Sequence, residues 1–260
     1  MFRPRVIPVL LLKNLGLVKS VQFKNHRYIG DPINAVKLFN DLGADELAFL
    51  DILASKQNRS ISLDFVKRVG DEANMPFSVG GGIRNIKEIQ QIIAAGAEKV
   101  IINSFAAENP GFIKDASDEF GSSTIVVSID VKKNIFGKEL TYIYSGKKAT
   151  KYDPVGFARL MEDMGAGEII INSIEHDGMM QGYNIPLIRR ISEAVSIPVV
   201  ALGGAGSNND LKTAITEGYA SAVAAGSMFV YHGPRRAVLV NYPEKEELNL
   251  LFNNSLSFTR

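Results

Sequence analysis

Apolar residues in this chain gather in short unbroken runs. VIPVLLL (6–12), VIIN (100–103), IVVSI (125–129), EIIIN (168–172) and VVAL (199–202) are of strand length. Continuous runs of this kind suit parallel strands buried on both faces. The pattern predicts strands near 6–13, 46–52, 77–80, 100–103, 124–132, 168–173, 199–202 and 222–225. The segments between them carry helix punctuation. Asp31-Pro32 and Asp153-Pro154 each place a cap before a proline at the first helical position. Asn85 with Glu88 forms a capping box, and Gly96 ends that helix. Asn109-Pro110 repeats the start signal, and Gly165 and Gly218 repeat the stop. Eight β/α units in about 250 residues predict an α/β protein, a (β/α)8 TIM barrel. An open doubly wound sheet is the alternative, but no dinucleotide fingerprint follows the first strand.

The pattern also repeats. GADELAFLDI (43–52) answers GAGEIIINSI (165–174), and PFSVGGGIR (76–84) answers PVVALGGAG (198–206), both at an offset of 122 residues. Two stacked half-barrels, about 1–122 and 123–245, account for this within a single domain spanning 1–260, leaving a tail at 246–260. Such a repeat predicts a pseudo-twofold axis, on which a ligand would meet two similar sites.

Composition narrows the function classes. A net charge of +1 gives no electrostatic reason to expect nucleic acid or a membrane surface. No apolar run approaches the roughly 18 residues of a membrane helix, and no signal peptide precedes the first strand pattern, so a cytoplasmic location is expected. The absence of cysteine excludes disulfides, thiolate metal sites and thiol nucleophiles. His26, His176 and His232 have no metal-ligand spacing and read as surface or loop residues. Neither metal nor cofactor is expected.

Chemistry concentrates where strands end. Gly81 and Gly82 follow strand 3, with Asn103 and Ser104 after strand 4; Gly203 and Gly204 follow strand 7, with Gly226 and Ser227 after strand 8. Glycines let backbone approach a ligand, and amides at a helix start favour phosphate. The paired arrangement predicts a small molecule phosphorylated at both ends; tight βα turns alone are the competing account. Asp130 closes strand 5, a position that usually carries chemistry in this fold, although pairing with Lys132 would also explain it. Asp51 and Asp177 could equally order loops or touch substrate. At the opposite end, Arg5, Glu46, Lys99 and Glu168 start strands 1, 2, 4 and 6. From sequence alone the preferred reading is a solvated, salt-bridged base.

These motifs, from RVIPVL through GDPINAVKLFNDLGADELAFLDI, SVGGGIR, KVIINS, IVVSIDVKK, GAGEIIINSIEHDG and AVSIPVVALGGAG, cover nearly the whole chain. Together they resemble the cyclase subunit of imidazole glycerol phosphate synthase. The resemblance implies a barrel whose N-terminal face docks a separate glutaminase subunit, with ammonia passing through the barrel to the far mouth. There the family attacks a bis-phosphate ribulose formimino-carboxamide nucleotide, releasing imidazole glycerol phosphate and an aminoimidazole carboxamide nucleotide. By the same resemblance Arg5, Glu46, Lys99 and Glu168 match the gate to the channel, and Lys19, in the long loop after strand 1, matches a substrate-handling lysine.

One position departs. The family has carboxylates at the ends of strands 1 and 5, as acid and base, whereas aligning PVLLLK with VSIDVK puts Leu11 opposite Asp130. Asn172 and Met179 also stand where small hydroxyl residues are usual. Three readings follow: a working cyclase led by Asp130; a paralogue conducting ammonia to a sugar amidotransferase of bacterial surface-polysaccharide synthesis; and a sugar-phosphate isomerase, which Leu11 disfavours.

Overall fold

The structure is a computed structural model that describes residues 3–253. Eight parallel strands run β1 (Arg5–Lys13), β2 (Leu47–Asp51), β3 (Phe77–Gly80), β4 (Lys99–Ile102), β5 (Ile125–Lys133), β6 (Glu168–Ser173), β7 (Val199–Leu202) and β8 (Ala222–Ala225). Each pairs with the next, and β8 pairs with β1 through Arg5↔Ala222 to Pro8↔Ala225, so the sheet closes into a (β/α)8 barrel. The open-sheet alternative is thereby excluded. Closure also removes every exposed edge from these strands, and burial of both faces, by the helix ring outside and the plug inside, is why their sequences need no polar alternation.

Among the described residues there are nine helices: α1 (Pro32–Asp41), α2 (Leu63–Glu72), α3 (Ile86–Ala94), α4 (Ser104–Glu108), α5 (Gly111–Phe120), α6 (Pro154–Asp163), α7 (Ile185–Ser192), α8 (Asn208–Thr216) and α9 (Lys245–Asn253). Their starts follow the punctuation. Asp31 accepts from the Ile33 and Asn34 amides, and Asp153 accepts from Gly156. The Asn85–Glu88 capping box recurs in the second half as Ser207–Asp210 at α8. The large core, including Phe39, Phe49, Phe157 and Ile113, lies between the strands and the helix ring. A smaller one fills the barrel itself, with Ile7, Val9, Ala48, Ile101, Val126, Ile170, Val200 and Ala224. This inner core is a packed plug of small and branched side chains, as the fold requires.

Three elements depart from the sequence expectations. The long loop after β1 is an antiparallel hairpin, Gly16–Val21 with Lys24–Gly30, so Lys19 lies in a strand. A second antiparallel excursion, Glu139–Ile143 and Lys148–Ala149, follows β5 at the matching place in the second half. Neither carries a strong apolar run: in the first hairpin Leu17 and Val18 are followed by the buried polar residues Lys19 and Ser20, and the returning strand is largely exposed. Of the predicted tail, the portion through Asn253 is helix α9, which buries Leu248 and Phe252; residues 254–260 lie outside the described residues.

Candidate active site

Strand direction places the C-terminal ends of β1–β8 around one mouth, where a cleft encloses about 1150 Å³ of open space. Asp130 is a buried carboxyl on its wall. It is 8% exposed, on the inner wall of β5 with Ser128. Asn172 Nδ2 donates to its Oδ1 at 3.1 Å and Asn103 Nδ2 to its Oδ2 at 3.3 Å. Among the described residues no cation pairs with it: the Lys132 ammonium rests over the Tyr142 ring, 5.8 Å from its centroid. Burial lifts the Asp130 pKa to about 7; the Asn172 bond opposes the shift and the Asp177 charge adds to it. A carboxyl group that is half-protonated near neutrality can both give and take a proton.

Lys19 is the second titrating group. The β1 hairpin folds it back into the mouth, where it is 4% exposed and its Nζ donates to the Val9 carbonyl at 2.6 Å. Gly226 makes room for it, since a Cβ there would stand 2.6 Å from that Nζ. Burial lowers the Lys19 pKa to about 8, with Asp177 pulling the other way. Asp177 borders the same cleft and is itself raised by burial. It accepts from Ser20 Oγ at 3.0 Å, and its backbone oxygen accepts from the Gln22 amide at 2.9 Å, so it also ties the hairpin to the β6 loop.

Leu11 faces the cleft beside Val9 and Leu50, an apolar patch where the repeat places the counterpart of Asp130. Asp51 borders the cleft too, but it is committed to its own loop. Its Oδ1 accepts from the Leu53 and Ala54 amides, and its Oδ2 accepts from Arg59 at 2.6 Å.

The glycine turns divide into two kinds. Gly81, Gly82 and Gly226 line the cleft, with Asn103, Ser104 and Ser227. Gly203 and Gly204 do not border it, and packing explains them. A Cβ on Gly203 would stand 2.5 Å from Asn172 Oδ1, and one on Gly204 would overlap the Gly182 carbonyl oxygen. Gly82 is constrained in the same way by the Arg59 carbonyl oxygen, at a φ of +68°. In each half, then, the glycine turn lies under the loop from the preceding strand. Asn103 and Ser104 are occupied within the protein: the Ser104 hydroxyl donates to Asn103 Oδ1 at 3.2 Å and accepts from the Tyr144 amide at 3.0 Å. Arg84 also lines this side, with its guanidinium 6.0 Å from the Phe105 ring centroid. It was legible in GGGIR as a cation beside the turn. Ser145 reaches the cleft, and the Tyr144 amide reaches Ser104, only through the folding of the second hairpin, which no sequence pattern announces.

At the other end, the four charged residues form a closed ring. Arg5 bonds both Glu46 and Glu168, and Lys99 Nζ lies 2.9 Å from Glu168 and 3.6 Å from Glu46. The glutamates are 5% and 6% exposed, so the expectation of a solvated base is corrected: barrel closure draws these carboxylates inward. Above them a small gap in the inner core, no larger than about one water, is bordered by Ala48, Ser78, Val126, Val200, Ala224 and Val9, the last of which also borders the cleft.

Fold and site together define a (β/α)8 barrel protein with a cleft at the C-terminal mouth that holds a buried carboxyl and a buried amine, and a charged ring at the base. The chain belongs to the family described as histidine biosynthesis protein, which matches residues 5–234. A relative from Leptospira interrogans, provisionally named imidazole glycerol phosphate synthase subunit HisF, is 42% identical over 97% of this chain and 100% of its own length. One from Pseudomonas aeruginosa, provisionally named subunit hisF2, is 43% identical over 96% of this chain and 100% of its own. Imidazole glycerol phosphate synthase subunit HisF of Alkaliphilus metalliredigens is 44% identical over 89% and 92%. No helix among the described residues is long and apolar enough to cross a membrane.

Proposed function

We propose that this chain is the cyclase-type subunit of a glutamine-dependent imidazole glycerol phosphate synthase, a lyase that receives ammonia from a glutaminase partner. It converts a bis-phosphate formimino-carboxamide ribulose nucleotide to imidazole glycerol phosphate and an aminoimidazole carboxamide nucleotide. The observation that carries this reading is the pairing, in one cleft, of a buried carboxyl near pH 7 with a buried amine near pH 8. Ammonia that adds to an unsaturated carbon must lose a proton, and the departing nitrogen must gain one. Asp130 as base and Lys19 as acid supply both transfers, so the proton exchanger absent at Leu11 is replaced from the hairpin, with Asp177 holding Lys19 in place. Gly81, Gly82 and Arg84 receive one phosphate; Gly226, Ser227 and Lys19 receive the other. Gly203 and Gly204 contribute by letting the β7 turn pack closely enough to leave that space. The ring of Arg5, Glu46, Lys99 and Glu168 is the ammonia gate, and the glutaminase docks over it.

The test is turnover of the nucleotide with excess ammonium salt and no partner. The unaltered chain is expected to turn over, and Asp130→Asn to be slower by roughly 10²- to 10⁴-fold. An inactive chain that gains activity through Leu11→Asp would refute the proposal. That outcome favours the second reading, an ammonia conduit serving a sugar amidotransferase, which the apolar Leu11 patch supports.

A further inference from the structure

Two side-chain amides flank the Asp130 carboxyl, and the rest of the protein treats them differently. Asn103 is locked. Its Nδ2 donates to the Ser128 carbonyl at 2.9 Å as well as to Asp130 Oδ2 at 3.3 Å, and its Oδ1 accepts from the Ser104 hydroxyl at 3.2 Å. A backbone carbonyl can only accept, so the Nδ2 end must face Ser128. The Ser104 hydroxyl itself accepts from the Tyr144 amide at 3.0 Å, which leaves its own hydrogen for Asn103 Oδ1. Both ends of this amide are therefore fixed, and Asn103 meets Asp130 as a donor whether or not the carboxyl is ionised.

Asn172 has no such anchor. The β5–β6 register sets it directly opposite Asp130, and its Nδ2 donates to Asp130 Oδ1 at 3.1 Å. The residue is 5% exposed, yet among the described residues nothing donates to its Oδ1. A buried acceptor left without a donor is costly, and no second bond holds the amide in its present sense. That oxygen lies against Gly203, where a Cβ would stand 2.5 Å from it, so glycine leaves room for either end of the amide. The other titratable groups of the cleft are Lys19, His26, Asp51, Arg84 and Asp177. Among the described residues none of them bonds Asp130, whose side-chain partners are the two amides. Lys132, next along β5, lies over the Tyr142 ring.

We infer that Asn172 is a turning amide that positions the exchangeable proton of Asp130. Oδ2 of Asp130 stays an acceptor from Asn103, while the proton comes and goes at Oδ1. Asn172 presents Nδ2 to the ionised carboxylate and its own Oδ1 to the protonated carboxyl. This rests on the reaction proposed above, in which Asp130 is the base. An N–H bond of the added nitrogen breaks, the nitrogen keeps the electron pair, and the proton forms an O–H bond at Asp130 Oδ1, discharging the carboxylate. Asn172 turns to accept from that O–H. Release of the proton to water restores the carboxylate and turns the amide back.

Side-chain NMR of the intact chain without substrate tests the amide apart from the reaction. The Asn172 NH2 signals are identified by their absence from Asn172→Thr. Their Overhauser contact to the Gly203 Hα is expected to be strong below about pH 6 and weak above about pH 8, either side of the Asp130 midpoint at about 7. The Asn103 amide is expected to keep its contacts throughout. The isosteric pair Asn172→Thr and Asn172→Val gives a second reading, since a hydroxyl can both donate and accept and a methyl does neither. Asp130 should titrate about one pH unit higher in the valine variant than in the threonine variant, because the bond that favours its charged form is gone. The acidic limb of the ammonium-dependent rate should move with it. A Gly203 contact that ignores pH, or equal Asp130 midpoints in the two variants, overturns the turning amide. A contact that changes with pH in a chain that leaves the nucleotide unconverted keeps the turning amide and refutes the proposed reaction.

Discussion

Asp130 holds its proton more tightly in the native protein than in the unfolded chain, because burial penalises the carboxylate. Between the ordinary value of 3.8 and about 7 the native state binds more protons, so this residue favours folding at low pH and that contribution is lost as pH rises through about 7. Asp130→Asn should therefore stabilise the fold, and the gain should grow by roughly 2 kcal/mol between pH 5 and pH 8. Urea unfolding at the two pH values checks this; an equal gain at both would mean that Asp130 ionises normally. The same groups predict a narrow bell in the ammonium-dependent rate. It rises as Asp130 loses its proton near pH 7 and falls as Lys19 loses its own near pH 8. Lys19→Met should lower the rate and abolish the alkaline limb, and persistence of that limb would remove Lys19 from the acid role.

At the scale of elements, the turns matter more than the helices they join. Gly82 and Gly121 both have φ in the left-handed region, +68° and +82°. At Gly121 a Cβ would meet nothing within 4 Å, whereas at Gly82 it would overlap the Arg59 carbonyl oxygen. Gly121→Ala should cost about 1 kcal/mol, for backbone strain alone. Gly82→Ala should cost about 3 kcal/mol or more, because the loop carrying Asp51 and Arg59 has to move. Denaturant midpoints of the two variants make a matched comparison. The two hairpins belong to this scale as well. One carries Lys19 inward and the other brings Tyr144 to Ser104, and both arise where the repeat predicts only connections.

Across the whole molecule, the charged ring and the cleft lie at opposite ends of one barrel, with the inner core between them. Arg5 is 34% exposed on its side chain, while the two glutamates that it bonds are buried. Arg5→Met leaves Lys99 to compensate both, and should destabilise by roughly 1–3 kcal/mol once the exposure of Arg5 is allowed for. With a glutaminase partner present, the same variant should lose glutamine-dependent turnover by more than tenfold while ammonium-dependent turnover stays within about twofold. A parallel loss of both rates would show that the ring supports the fold and does not gate ammonia.

The eight strands, the capped helix starts and the internal repeat were legible in the chain because each depends on local chemistry: apolar run length, a cap before a proline, a carboxylate three residues into a helix. The place of Asp130 at the mouth was legible too, from a carboxylate ending an apolar strand, but its partner was not: Lys132, the local candidate, lies over the Tyr142 ring instead. What the linear order could not carry was partnership over long separations. Lys19 gains its lowered pKa from being folded against Val9 and Gly226, and Asn103 turns its amide to Asp130, 27 residues away. Gly203 and Gly204 read as ligand glycines, and the close packing of Asn172 and Gly182 against them, which by itself requires glycine, exists only in the folded chain. Burial and proximity set these roles, and both exist only once the barrel has closed.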